Sequence, residues 1–488
     1  MLDNIDKRSS GLSLLIKPTN MCNLNCKYCY DREARIRNGN KIMTKEMIDK
    51  IARMASEYAK EITWIWHGGE PLILGVDYYR DKQDIFYKYY NSMFKQELQT
   101  NGTLLNDEWI KFFKEYKISF GVSYDSLFQK VRDPDLRYDY DKMLKYVTEY
   151  GNAGAITVIN SESYKYMIDI YNDLKEKGLI GLAFNIVFDS EGVKENHLRM
   201  SPDDYVVEFL KFLDFWVHDK DNVYISERTA IEAIELIFGG DKTCCTYHDC
   251  RLGWLGVNSY GDIYPCDREI PGYSFGNLNE FNSIEEIHNS EKFRKYYNEV
   301  AMRFKTHCSK CGYFSRCHGG CNSNAITSSG SASGVDIIYC QLFRKRFNEV
   351  YKYFRDFDLY DDNVSKYIKA FFYKRQFYTL KEIKKILHSK FNFDDELQFS
   401  DKGAEIFNSI EFKIFNIFNP NRVSDETGHL DYNLPKVVLQ LDFQGDFITQ
   451  MKFEREREIL EIANNNASKI LELLNINRGL NELKEGEK

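Results

Sequence analysis

The sequence predicts an α/β protein in which a partial (β/α)6 barrel is followed by a loop-rich region and a C-terminal α+β extension. Six short apolar segments lie between residues 11 and 225, and amphipathic stretches separate them. Strands that alternate with helices in this way form a parallel sheet, here expected to curve into a partial, TIM-like barrel. Between residues 240 and 345, long hydrophobic periodicity gives way to frequent glycine, cysteine and tyrosine. Helix and strand patterns return from residue 346.

The predicted strands have the length of core strands, and one helix between them has a clear start. Met47, Ile51, Met54 and Tyr58 recur at helical spacing, and Thr44 is placed to cap the first turn. Parallel sheets carry their functional residues at the carboxyl ends of the strands. The predicted strands are Ser13–Ile16, Ile62–Trp66, Leu98–Thr100, Ile118–Ser123, Ala155–Ile159 and Leu182–Phe188.

The C-terminal extension, residues 346–488, contains recognisable local patterns but no motif of known chemistry. Thr379 and Glu382 have the spacing of a capping box, and residues 437–443 and 447–453 alternate around a turn, as in a hairpin. A charged helix is expected over residues 454–474. This order fits either a small winged or leader-peptide-recognition module or a packing extension that braces the catalytic regions.

Composition excludes several classes of function. The 488 residues include 66 basic and 74 acidic side chains, for a net charge of −8, and 43% of them are hydrophobic. A chain this apolar builds a core, and its acidic balance disfavours nucleic acid as a partner, because phosphate binding needs a basic surface. No signal-peptide pattern and no apolar run of membrane-spanning length is present. We therefore expect a cytoplasmic protein without a membrane partner.

The twelve cysteines indicate metal chemistry, since cytoplasmic thiols stay reduced and clustered cysteines there are more often ligands than disulfides. Cys22, Cys26 and Cys29 lie on one short loop after the first predicted strand, with no fourth cysteine or histidine nearby. Three thiolates suit a [4Fe–4S] cluster with one iron left open, whereas structural zinc takes four ligands. A zinc site that borrows a distant ligand is the alternative.

These cysteines and several later segments resemble the motifs of radical S-adenosylmethionine (SAM) enzymes. Cys22, Cys26, Tyr28 and Cys29 match the signature CX3CXΦC, where Φ is aromatic. Three further motifs follow in the family's order at predicted strand ends, and a fourth comes after them. They are His67-Gly68-Gly69-Glu70-Pro71, Gln99-Thr100-Asn101-Gly102, Ser123-Tyr124-Asp125-Ser126 (Ser126 replaces the usual glycine), and Arg132-Asp133 with Arg137 (Arg132 replaces a histidine).

The resemblance implies that a reduced cluster cleaves SAM to methionine and a 5′-deoxyadenosyl radical, which abstracts a hydrogen atom from the substrate. It also implies an electron donor such as flavodoxin or ferredoxin. Glu70 would accept a hydrogen bond from the SAM amino group, Gly68 and Gly69 would let the backbone approach the ligand, and Tyr28 would flank the adenine. We interpret His67 as a core histidine. The implied SAM contacts are Tyr28, Gly68, Gly69, Glu70, Pro71, Asn101, Ser123, Asp125 and Arg137.

Eight of the other nine cysteines resemble the SPASM extension of radical SAM enzymes that modify peptides and proteins, which holds two auxiliary [4Fe–4S] clusters. By this resemblance one cluster takes Cys244, Cys250, Cys266 and Cys321, and the other takes Cys308, Cys311, Cys317 and Cys340. Cys245 remains an alternative to Cys244, and a first cluster with an open iron would use neither. A two-zinc ribbon is the alternative to both clusters. The expected domains are the radical SAM core (1–225), the SPASM domain (240–345) and the extension (346–488).

Asp267 follows Cys266 directly, where the resembling anaerobic sulfatase maturases place a general base, and burial would raise its pKa. A turn residue is the alternative. The favoured function is modification of a ribosomally synthesised precursor peptide by a thioether or other crosslink, because sulfatase maturases usually end soon after the last cysteine. The alternatives are an anaerobic sulfatase maturase that makes formylglycine, and a non-enzymatic iron–sulfur electron carrier or zinc scaffold.

Overall fold

The computed structural model describes residues 8–89, 92–132, 138–151, 153–190, 197–220, 226–238, 245–247, 249–309, 311–355, 357–359 and 361–374. The capping box predicted at Thr379 and Glu382, the predicted hairpin and the predicted final helix lie outside these residues.

One sheet contains the ten strands of the described residues. They are Ser9–Ile16 (β1), Ala59–Trp66 (β2), Met93–Thr100 (β3), Ser119–Ser123 (β4), Ala153–Ile159 (β5), Gly181–Ile186 (β6), Ser226–Glu227 (β7), Trp254–Val257 (β8), Asp262–Tyr264 (β9) and Gly276–Asn277 (β10). Their order is β10-β9-β8-β1-β2-β3-β4-β5-β6-β7. Strands β1 to β6 pair in parallel in chain order, which confirms the predicted α/β class.

The helices of the described residues lie mostly between these strands. They are Arg32–Asn38 (α1), Lys45–Tyr58 (α2), Gly75–Arg80 (α3), Gln83–Lys88 (α4), Asp107–Tyr116 (α5), Gln129–Arg132 (α6), Tyr140–Tyr150 (α7), Met167–Glu176 (α8), Pro202–His218 (α9), Arg228–Phe238 (α10), Ile284–Asn289 (α11), Glu291–Arg303 (α12), Phe314–Cys317 (α13), Asn322–Ser329 (α14), Ile337–Arg355 (α15) and Lys366–Lys374 (α16). None of them is both long and apolar enough to cross a membrane.

Helix α2 begins where the sequence predicts. The side chain of Thr44 accepts a hydrogen bond from the backbone of Met47, which satisfies one of the free amides of the first turn. Ile48, Ile51 and Met54 form the buried face of the helix.

Aromatic side chains fix α3 and α4 on the sheet. Trp64 and Trp66 are two residues apart, so both lie on the same face of β2, and both are fully buried. The ring of Trp66 lies 5.1 Å from that of Tyr79 on α3, and the ring of Trp64 lies 5.1 Å from that of Phe86 on α4. These edge-on contacts bury large apolar area and orient the carboxyl end of β2.

The region that we expected to be rich in loops continues the sheet and adds long helices. Strand β8 pairs with β1 in parallel, and β9 and β10 follow in antiparallel order. Gly256 on β8 is required because a β-carbon there would lie 2.0 Å from the carbonyl oxygen of Cys266. Residues 1–212, 224–229 and 243–345 form one compact unit, so the core sheet and the later cysteines belong to the same body.

Among the described residues, the second compact unit includes 213–220, 230–238, 346–355, 357–359 and 361–374. Its described part is held by aromatic contacts. The ring of Phe238 lies 4.9 Å from that of Phe372, and the ring of Trp216 lies 5.9 Å from that of Tyr367. The backbone of Ser365 donates to the carbonyl oxygen of Val217 over 3.1 Å.

Candidate active site

Three thiols line one cavity of about 270 Å³ near the carboxyl ends of the parallel strands. Cys22, Cys26 and Cys29 lie on the loop between β1 and α1, where the amide of Cys29 donates to the carbonyl of Cys26 over 3.2 Å. Burial raises the pKa of Cys22 to about 11 and also raises that of Cys29. Buried thiols of this kind ionise when a metal centre stabilises the thiolate, so this donor set fits an iron–sulfur cluster.

Gly68 and Gly69 bring the end of β2 against the cysteine loop. A β-carbon on Gly68 would lie 2.4 Å from the carbonyl oxygen of Thr19, and one on Gly69 would lie 2.0 Å from that of Met21. Gly68 also has a φ of 123°, which side chains disfavour. Both glycines line the cavity. Their close approach is made to the backbone of the cysteine loop, so they position the thiols as well as shape the cavity.

Glu70, which follows β2, is hydrogen-bonded to the end of β3 and is not part of the cavity lining. Its fully buried carboxylate accepts from the amide of Leu72 at 3.0 Å, from Oγ1 of Thr100 at 2.7 Å and from the amide of Asn101 at 2.7 Å. Asn101 in turn donates its side-chain amide to Asn23 in the cysteine loop over 2.9 Å. The carboxylate of Glu70, which we expected to accept a hydrogen bond from the SAM amino group, therefore already accepts three hydrogen bonds from the protein.

Tyr28 and Arg132 form a polar part of the cavity wall. Tyr28 donates its hydroxyl to Asp125, whose other oxygen accepts from the amide of Val158 at 2.9 Å. Arg132 is 4% exposed, and its Nε and Nη1 have no hydrogen-bond partner among the described residues. Buried donors that the protein leaves unsatisfied fit an anionic group of a ligand, such as a carboxylate.

Asp267 adjoins the cavity through Tyr30 and His67, which both line it. Tyr30 donates its hydroxyl to Asp267, and Nδ1 of His67 lies 3.8 Å from Oδ2 of Asp267. Burial alone would raise the pKa of Asp267, but His67 in its protonated form, the charge of Lys17 and the hydrogen bond from Tyr30 hold it below its usual value. The expected rise in this pKa was therefore wrong, because cations and donors surround the carboxylate.

The structure corrects the interpretation of His67 as a core histidine whose polar atoms are satisfied by the protein. Its ring lines the cavity, and Nδ1 has no hydrogen-bond partner among the described residues. Burial lowers the pKa of His67, so the ring is mainly neutral at neutral pH.

A buried ion network joins the cysteine loop to the segment that carries Asp267. Nζ of Lys17 lies 2.5 Å from Oδ1 of Asp31 and 3.2 Å from Oε1 of Glu269, and these side chains are 1–5% exposed. Glu269 also accepts from the side-chain amide of Asn258 at 2.8 Å. This network fixes Asp267 relative to the three thiols, because Glu269 follows it by two residues.

Seven further cysteines of the described residues separate into two groups. In the first group, burial raises the pKa of Cys250, and its neighbours Cys321 and Cys266 raise it further. In the second group, which lines a cavity of about 310 Å³, burial raises the pKa of Cys317 to about 11. The first group is Cys250, Cys266 and Cys321, and the second is Cys308, Cys311, Cys317 and Cys340.

The structure places the other predicted site residues as follows. Cys244 and Arg137 lie outside the described residues, and Cys245 begins a short helical turn that ends at Tyr247. The choice between Cys244 and Cys245 stays a prediction. Of the predicted SAM contacts, Tyr28, Gly68, Gly69, Asn101 and Ser123 line the cavity, whereas Glu70, Pro71 and Asp125 are buried and are not part of its lining.

Sequence reasoning missed Tyr30 and Glu269, because their partners are far away in the chain. Tyr30 and Asp267 are 237 residues apart, and Lys17 and Glu269 are 252 residues apart. The charged run Asp267-Arg268-Glu269 after Cys266 is the signal that marks this segment, but it does not reveal the partners.

Comparisons with known proteins give one family match for the region of the cysteine loop and another for the region that contains most of the later cysteines. Residues 16–185 match the radical SAM superfamily, and residues 245–322 match the SPASM iron–sulfur cluster-binding domain. A cysteine-type anaerobic sulfatase-maturating enzyme of Clostridium novyi is 28% identical over 364 residues, which are 70% of this chain and 95% of that protein. A serine-type enzyme of Bacteroides thetaiotaomicron is 27% identical over 382 residues, covering 70% of this chain and 90% of its own. A structure of native anSMEcpe with bound AdoMet and Cp18Cys peptide is 26% identical, with a TM-score of 0.60, over 70% of this chain and 97% of that one.

Proposed function

Because the chain is a radical SAM enzyme with a SPASM iron–sulfur domain, we propose that it oxidises a cysteine or serine side chain in a peptide or protein substrate. The position of Asp267 carries the proposal, since this carboxylate contacts two residues that line the cavity of the cysteine loop. The similarity to cysteine-type and serine-type sulfatase-maturating enzymes supports this oxidation over crosslink formation.

The cysteine groups supply the ligands in this proposal. We assign the catalytic cluster to Cys22, Cys26 and Cys29 and the auxiliary clusters to the two later groups, with Cys244 completing the first. When bound, SAM and the reduced cluster supply a 5′-deoxyadenosyl radical that abstracts hydrogen, and the auxiliary clusters supply an electron acceptor. Arg132, whose Nε and Nη1 have no partner among the described residues, would supply donors for an anionic group of the ligand, and Tyr28 lines the same cavity.

Asp267 accepts the proton of the substrate thiol or hydroxyl. Together with loss of one hydrogen atom from the adjacent carbon and of one electron, this leaves a thioaldehyde or an aldehyde, which is a two-electron oxidation. Water converts the thioaldehyde into formylglycine and hydrogen sulfide. His67, Lys17 and the hydrogen bond from Tyr30 lower the pKa of Asp267, so the carboxylate is ionised at neutral pH, and the same lowering makes it a weaker base than an isolated carboxylate.

Crosslinking of a precursor peptide is the second candidate. The match to the similar enzyme of Clostridium novyi spans 95% of that enzyme but 70% of this chain. About 30% of this chain therefore has no counterpart in that enzyme. Such a segment suits presentation of a peptide. In either case we propose that a low-potential donor of the flavodoxin or ferredoxin class reduces the enzyme.

Reconstitution with SAM and dithionite under anaerobic conditions tests the oxidation. The Cp18Cys peptide and its serine and alanine versions are matched substrates, and an aminooxy reagent detects the aldehyde. We expect tagged product from the cysteine or serine peptide and none from the alanine peptide. Formation of 5′-deoxyadenosine with thiol loss but no aldehyde would contradict the oxidation and favour crosslinking.

A further inference from the structure

Arg303, the last residue of α12, is a buried cation without an acidic partner among the described residues. Its exposed fraction is 0%, and its Nε and Nη1 make no hydrogen bond there. An unpaired guanidinium in a protein interior is costly, so a folded chain keeps one where an anion faces it. The polypeptide around Arg303 supplies thiols and a phenol, and no carboxylate forms an ion pair with it in the described chain.

Arg303 lies between the two groups of SPASM cysteines. Its third nitrogen, Nη2, donates to Oδ1 of Asn322, and the side-chain nitrogen of Asn322 donates to Sγ of Cys250 over 3.4 Å. The π-helical turn Phe304–Cys308 starts directly after Arg303 and ends at a cysteine of the second group. A β-carbon on Gly319, in the turn that joins the two groups, would lie 3.6 Å from Nε of Arg303.

We propose that the unpartnered N–H groups of Arg303 donate to sulfur atoms of both auxiliary clusters and thereby raise both reduction potentials. A [4Fe–4S] cluster with thiolate ligands is anionic and becomes more so on reduction, so positive charge and N–H···S bonds favour the reduced form. Asn322 extends the effect to Cys250, because Arg303 polarises its amide. The proposal rests on the SPASM clusters and is independent of the substrate chemistry proposed above.

Replacement Arg303→Met tests this role through the potentials, measured by anaerobic redox titration with EPR detection on protein of known iron content. We expect the equilibrium constant for reduction of each auxiliary cluster to fall about tenfold, which is ~59 mV for a one-electron couple. The catalytic cluster is the internal reference and should not shift. Arg344→Met is the matched control, because Arg344 is exposed and its hydrogen bonds to thiols go to the second group only, to Sγ of Cys311 over 3.3 Å and to Cys340. It should shift one auxiliary cluster, and by less.

Unchanged potentials of both auxiliary clusters at full iron content in Arg303→Met would overturn the proposal, as would a shift confined to one cluster. If this variant does not retain its iron, Arg303→Lys takes its place, since lysine keeps the charge but lacks the forked donors. A smaller shift of both auxiliary potentials then supports the proposal, and wild-type potentials contradict it.

Discussion

The two cavities that collect cysteines differ in how their charges are balanced. Around the cysteine loop, Lys17 is paired with Asp31 and Glu269, and the buried Arg132 in the cavity wall keeps two nitrogen atoms without a partner among the described residues. Near the SPASM cysteines, the buried Arg303 has no acidic partner among the described residues. The first site also takes its three thiols from one loop, whereas the second draws them from separate segments. The comparison indicates that the ion network of Lys17 preforms the loop of the first site, and we expect bound clusters to complete the second.

Removing one thiol of the preformed site has the largest expected effect. In Cys22→Ala the catalytic cluster loses a ligand, so 5′-deoxyadenosine formation should fall to the level of an assay without enzyme. Because the SPASM site is separate, about eight of about twelve irons per chain should remain. Deoxyadenosine formation at the wild-type rate would contradict the assignment of this loop.

Removal of iron should affect the two sites unequally. After anaerobic chelation, we expect amide hydrogen exchange to rise about tenfold or more in residues 249–345, because metal binding there substitutes for protein contacts. Strands β1 to β6 should change little, since their hydrogen bonds do not involve iron. An equal rise in both regions would refute the comparison.

Variants of the adjacent residues Cys244 and Cys245 test which of the two is a ligand at the SPASM site. Cys244→Ala should lose about four irons per chain, the content of one cluster, and Cys245→Ala should lose none. Iron analysis of the two purified variants measures the difference. The reverse result would make Cys245 the ligand, and full iron in both variants would indicate a cluster with an open iron.

The network of Glu269 should contribute more to stability than an exposed ion pair. Glu269→Gln removes one of the two carboxylates of the buried Lys17, and we expect the free energy of unfolding to fall by about 3 kcal/mol. Lys45→Gln is the control, because Lys45 pairs with Asp81 at the surface, and its melting temperature should barely change. Similar melting temperatures for Glu269→Gln and the wild type would show that this network does not stabilise the fold.

The sequence was sufficient to predict the parallel strands, the cap at Thr44 and the clustered thiols, because each depends on residues close together in the chain. It also marked Ser126 as unusual, and the structure keeps this residue at a φ of 51°, with its hydroxyl bonded to Asp173. The contact of Tyr30 with Asp267 and the isolation of Arg303 were not predictable. Both depend on which distant segments meet, which local pattern does not encode.

The role of Asp267 as the acceptor of the substrate proton is tested most directly by the ratio of formylglycine to 5′-deoxyadenosine that the Asp267→Asn variant forms. The carboxamide keeps the shape of Asp267 but does not accept the substrate proton. With the Cp18Cys peptide, formylglycine should fall by about 10²–10⁴-fold, while 5′-deoxyadenosine forms at a rate close to that of the wild type. An unchanged ratio of formylglycine to 5′-deoxyadenosine would contradict the account.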